Sequence, residues 1–128
     1  MKNHILLAAA LAAVLAAPGC VFLAGAAIGA GVVHVVGEDS TEVVLEQSYE
    51  SVFDASKEEL AAKGAVEASD ADAGVVEGSV GPSSVTITVT RETDSSVRVT
   101  VKARKNGGIS PDQETAEEIS YGLLRRTG

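Results

Sequence analysis

No Asp, Glu, Lys or Arg occurs between Lys2 and Glu38. That charge-free stretch decides what the rest of the chain can become. It is built from Ala, Val, Leu, Ile and Gly, and it stops abruptly at Glu38 and Asp39. Beyond that point polar and apolar residues alternate, as they do in an ordinary globular domain. The 128-residue chain therefore divides near residues 37–39 and leaves about ninety residues for the folded part. A domain of that size folds without disulfides or metals. Its core has to be aliphatic, because past residue 37 the aromatics are Tyr49, Phe53 and Tyr121 alone.

The start of the stretch has the layout of an export signal. Lys2 supplies a short positive region, Ile5 to Leu15 an apolar one, and Ala16-Ala17-Pro18-Gly19 a run of small residues. The apolar part is too short to span a bilayer, which takes about 20 residues. Cys20, the single cysteine, follows at once, so no disulfide can form within the chain. Ala17-Pro18-Gly19-Cys20 resembles the lipobox of bacterial lipoprotein precursors, with Ala17 in place of the usual Leu and Pro18 in place of Ala or Ser. The resemblance implies a diacylglycerol on the Cys20 thiol and cleavage just before it. One acyl chain binds a membrane only marginally, and each buried methylene adds about 0.8 kcal/mol, so two or three chains hold firmly. Val21 follows where Asp would imply inner-membrane retention, so the expected place is the outer membrane, facing the periplasm. Two other readings stay open. The charge-free run can remain uncut and act as the anchor itself, or an ordinary signal peptidase can release a secreted module with a free thiol.

Residues 21–37 read VFLAGAAIGAGVVHVVG. Gly25 and Gly29 are four apart, the spacing at which apolar helices approach closely, so a self-associating glycine zipper is one expectation and a plain tether the other. His34 is the one histidine after Cys20 and has no partner pattern around it. The expected organisation is a signal over residues 1–19, an attachment cysteine and glycine-rich tether over 20–40, and a domain over 41–128.

In the domain, TEVVLEQS (41–48) reads as a strand. Ser48 caps a helix whose stripe is Tyr49, Val52, Phe53, Ser56 and Leu60. Glu59 and Lys63 stand four apart as a surface pair, and Gly64 ends the helix. AVEASDADAGVVEGSVG (65–81) reads as a strand broken by a turn or bulge at Asp70–Gly74; the spacing there does not match a calcium loop. SVTITVTRE and SVRVTVKAR alternate cleanly, with Val85, Ile87, Val89, Val97, Val99, Val101 and Ala103 on the inner face. Ser110-Pro111-Asp112-Gln113 reads as a helix start with Ser110 as cap, followed by a stripe of Ala116, Ile119, Ser120 and Leu123. The element order is β-α-β-β-β-α. The fold class is α+β, a two-layer sandwich of an antiparallel sheet with both helices on one face.

Cys20, the glycines at 25, 29, 31 and 37, and the helix positions Val52, Ala55 and Leu60 together resemble a family of small bacterial lipoproteins carrying a domain of unknown function. The resemblance implies a cell-envelope protein and brings no reaction, cofactor or catalytic residue with it.

Charge points the same way. Formal net charge is −8, with twelve acids against two lysines from Glu38 to Gly78 and seven bases against six acids from Arg91 onward. An acidic chain lacks the basic footprint of a nucleic-acid binder. The adjacent pairs Glu58-Glu59 and Glu117-Glu118 diverge on a helix, no His/Cys cluster has metal-ligand spacing, and no serine sits in a nucleophile motif. The expectation is a protein without enzymatic activity, cofactor or metal. One surface stands out: Thr86, Thr88, Thr90, Arg98, Thr100, Lys102 and Arg104 share the outer sheet face. A basic, hydroxyl-rich face of that kind suits an acidic envelope protein, an anionic envelope polymer or a lipid headgroup, and is otherwise the solvated side of the sandwich.

Overall fold

A computed structural model describes residues 32–127. Cys20, Gly25 and Gly29, and with them the expected signal and most of the tether, lie outside the described residues. Among the described residues seven strands and two helices form: β1 His34–Val35, β2 Ser40–Leu45, α1 Tyr49–Lys63, β3 Ala65–Asp70, β4 Val75–Val80, β5 Ser83–Arg91, β6 Val97–Lys105, β7 Ser110–Pro111 and α2 Gln113–Thr127. All strands pair antiparallel in one sheet, in the order β1-β2-β6-β5-β4-β3. β7 pairs with Arg104 and Lys105 at the far end of β6, on the side that β2 occupies further along. Asp39 and Asp112 both bond to Ala103 there, the Ala103 N–H donating to Asp39 O and the Asp112 N–H to Ala103 O.

The alternation of β5 and β6 sets the layers. Val85, Ile87 and Val89 pair with Ala103, Val101 and Val99, and Val43 of β2 continues that inner face opposite Val99. All are buried, and Val52, Phe53 and Leu60 of α1 with Ala116, Ile119 and Leu123 of α2 close over them in one apolar cluster. The result is the expected two-layer α+β sandwich with both helices on one face. A buried hydroxyl pair crosses the layers: Thr41 Oγ1 lies 2.6 Å from Ser120 Oγ and donates to Ala116 O.

Ser48 caps α1 as expected, its hydroxyl accepting from the Ser51 N–H at 3.2 Å. Gly64 closes the helix through its N–H to Leu60 O, with an extended backbone (φ −166°) rather than the left-handed turn usual at such a position.

Four local readings differ from the sequence. First, residues 65–80 form two paired strands, so the domain is β-α-β-β-β-β-α with β1 and β7 as short additions. Asp70 turns the chain by accepting the Asp72 and Ala73 N–H groups, and Gly74, at φ +73°, completes the reversal. Second, α2 starts two residues later than expected. Ser110 and Pro111 pair with β6, and Asp112 is the residue whose carboxylate accepts the Thr115 N–H. Third, Glu59 does not reach Lys63. Its side chain turns inward and accepts from Arg126 Nε at 2.6 Å. Fourth, His34 and Val35 pair with Glu42 and Thr41, so part of the stretch assigned to the tether belongs to the sheet.

Candidate functional site

The face of the sheet turned away from the helices carries every residue of the expected interaction surface. The register places them in rows across the strands. Thr90 pairs with Arg98, and Arg98 with Val44. The next row runs His34, Glu42, Thr100, Thr88, Val75 and Asp70. The third runs Ser40, Lys102, Thr86, Glu77 and Ala68, and the last joins Pro111, Arg104, Ser84 and Ser79. β-branched threonines suit such positions, since they fit a pleated surface and still present a hydroxyl.

Electrostatics change the character of this face. Arg98 Nη1 donates to Glu42 Oε1 at 2.9 Å, while Nε and Nη2 hold both oxygens of Glu92. The fork geometry makes this a bidentate pair. It lowers the Glu92 pKa and raises that of Arg98. Arg104 Nη1 pairs with Asp39 Oδ2 at 2.5 Å, and its other two nitrogens donate to the carbonyls of Gly108 and Ile109 at 2.7 and 3.0 Å. Lys102 Nζ stands 3.8 Å from the same Asp39 oxygen. The Ser40 hydroxyl, donating at 2.8 Å, and the Arg104 guanidinium together hold the Asp39 carboxyl below its ordinary pKa. Each of the three bases thus faces a carboxylate of the same chain.

Those acids escaped the sequence reading because the strand order was not legible. Glu42 meets Arg98 and Thr100 only because β2 joins the sheet beside β6, with Arg98 56 residues further along the chain. The alternation of Ser40, Glu42 and Val44 against Thr41, Val43 and Leu45 was the available signal, and it marks the face without naming the neighbour.

A second cluster lines α1. Arg91 lies 4.1 Å above the Tyr49 ring, Tyr49 and Phe53 stack with centroids 6.0 Å apart, and Lys57 sits 5.2 Å from the Phe53 centroid. The i, i+4 spacing of 49, 53 and 57 builds this column on one helix face. Tyr49 donates its hydroxyl to Ala71 O at 2.5 Å, which ties the column to the β3–β4 turn. Open clefts of about 360 and 420 Å³ flank Tyr49 and Arg91. Glu50, Asp54, Asp72 and Asp94 border them, so neither is a basic pocket. Among the described residues no three His, Cys, Asp or Glu side chains come close enough together to hold a metal, and no helix is long and apolar enough to cross a membrane.

An open, ion-paired sheet face on a small two-layer sandwich defines a class of domain and no reaction. The chain belongs to the family described as "Protein of unknown function (DUF3568)", whose model matches residues 2–121. The match runs through the charge-free N-terminal stretch as well as the folded domain. Comparison with curated proteins gives no significant match.

Proposed function

We propose that this protein is a small lipid-anchored cell-envelope protein, whose domain is a structural or interaction module at a membrane surface. The observation that carries the reading is Cys20 itself: a lone cysteine, directly after an apolar run and four small residues, twelve residues ahead of the first described residue. A thioether-linked diacylglycerol with an N-acyl chain gives durable attachment where one chain does not. Twelve residues reach about 40 Å at full extension, so the lipid confines the domain to the immediate membrane surface.

The partner surface in this reading is the open sheet face. Its bases are already paired with Asp39, Glu42 and Glu92, and a polyanion would have to displace those carboxylates. A neighbouring envelope protein offering hydrogen bonds to Thr86, Thr88, Thr90 and Thr100 fits better.

Metabolic labelling with a fatty-acid analogue tests the anchor. The protein takes up label and fractionates with membranes, and Cys20→Ala loses both properties. Label retained in Cys20→Ala, or wild-type protein in the soluble fraction, contradicts the reading.

A further inference from the structure

The sheet has two edges, and they differ. β3 forms one, with a bulge at Glu67 and acidic residues, the usual defences of a free edge. The other is formed by β1 and by the turn between β6 and β7. It collects four of the six large apolar side chains that stand exposed among the described residues: Val32, Val35, Val36 and Ile109. Ile109 is 80% exposed, more than any of the other five.

Ile109 is not exposed because its loop is unsupported. Arg104 binds the carbonyls of Gly108 and Ile109 while pairing with Asp39, and Asn106 Nδ2 donates to Ser110 Oγ at 3.2 Å. The turn tip is held in place and presents an isoleucine to solvent. Lys102 and Lys105 flank this corner, both exposed. Lys105 has no carboxylate within 4.0 Å among the described residues, though its charge acts on Asp112, and Lys102 has the 3.8 Å approach to Asp39.

We infer that this edge, Val32 to Val36 with Ile109, is the side of the domain that rests on the bilayer. The inference builds on the lipid-anchor reading above. Apolar side chains at such an edge enter the headgroup–acyl boundary, and flanking lysines lie along it with their ammonium groups at anionic lipid phosphates. The chain outside the described residues joins the domain at Val32, on this same edge, so edge-on contact asks the least of the tether. Anchoring also makes the contact intramolecular, at high effective concentration. A patch too small to hold a free domain on a membrane is then sufficient to orient a tethered one.

The test uses the lipidated full-length protein. With Cys20 acylated, Ile109→Cys provides one free thiol for an environment-sensitive fluorophore, and Glu118→Cys on the exposed side of α2 provides the control. Both are reconstituted into phosphatidylethanolamine–phosphatidylglycerol vesicles containing brominated acyl chains. The expected result is quenching several-fold stronger at position 109 than at 118. Equal quenching at the two positions in anchored protein overturns the inference and leaves the anchor reading standing. Shielding at 109 without lipid quenching, together with dimer crosslinks through that residue, assigns the edge to a second copy and also overturns it. A chain without lipid on Cys20 that fails to stay with the vesicles fails at the anchor, and the inference falls with it.

Discussion

The carboxylate of Glu59 occupies the space that a side chain at Gly122 would need: a Cβ there would sit 1.9 Å from Oε1. The contact joins α1 to α2 in the middle of the helical layer. Glu59 is almost fully buried, its Oε2 accepts from Arg126, and its Oε1 has no hydrogen-bond partner among the described residues. Glycine in a helix interior costs about 1 kcal/mol against alanine, so something at this position has to offset that cost. Close approach of the buried carboxylate is what the glycine permits.

Gly122→Ala is therefore expected to destabilise the fold by about 1–2 kcal/mol, because displacing Glu59 outweighs the gain in helix propensity. In a Glu59→Ala background the same change is expected to stabilise by up to about 1 kcal/mol. Urea unfolding of the four variants checks the reversal of sign; a Gly122→Ala effect of the same sign in both backgrounds contradicts it.

The pair of Glu59 and Arg126 is asymmetric. Glu59→Met removes a buried charge along with its unpartnered oxygen and leaves Arg126 partly in solvent beside Glu58, so stability should change by less than about 1 kcal/mol. Arg126→Met strands the carboxylate and should cost about 1–3 kcal/mol, at the low end for a guanidinium that is about a third exposed. Equal losses in the two variants would mean that the pair itself, rather than the burial of one member, sets the energy.

Asp112 gives the fold a titrating element. Hydrogen bonds from the Ser83 hydroxyl, then from the Thr115 hydroxyl, hold its pKa below the ordinary value of 3.8. A depressed folded-state pKa contributes stability that is complete above the unfolded-state value and is lost as pH falls through the folded-state value. Melting temperature should therefore drop on acidification below about pH 4. Asp112→Asn should melt lower at neutral pH and lose less over that acid range. An unaltered acid limb in Asp112→Asn would exclude this carboxylate as a contributor.

Thr41 and Ser120 act together. Thr41 donates to Ala116 O, so Ser120 is the donor of the pair: Thr41→Val strands the Ser120 hydroxyl at a cost of about 1 kcal/mol, whereas Ser120→Ala leaves Thr41 its bond to Ala116 and costs less. The double variant should cost hardly more than Thr41→Val alone, since no stranded hydroxyl then remains. Denaturation midpoints at unchanged slope measure this directly; additive losses would refute the coupling.

What could be read from the sequence was whatever alternates. β5 and β6 keep a strict two-residue period because one face is buried along their whole length, and that alternation alone names their inner residues. β3 has no such period: all six of its residues are exposed, since it is an edge strand with a bulge. Nothing but the Asp70–Gly74 turn separated it from β4. The start of α2 was misplaced because Ser-Pro-Asp-Gln offers two caps. The choice fell to Asp112, whose carboxylate also meets Ser83 from a distant strand. Glu59 was hidden for the same reason: a glutamate four residues before a lysine looks like a surface pair until another helix brings Arg126 to it. The open face was legible as a set of residues, and its charge balance was not, because Asp39 and Glu42 reach it only through the pairing of β2 with β6.

Whether Cys20 carries lipid decides the proposed function, and the mass of the mature N-terminal peptide from isolated membranes reads it out. The expected peptide begins at Cys20 and carries diacylglycerol. An unmodified Cys20 at the start, or an intact Met1, would contradict the proposed function.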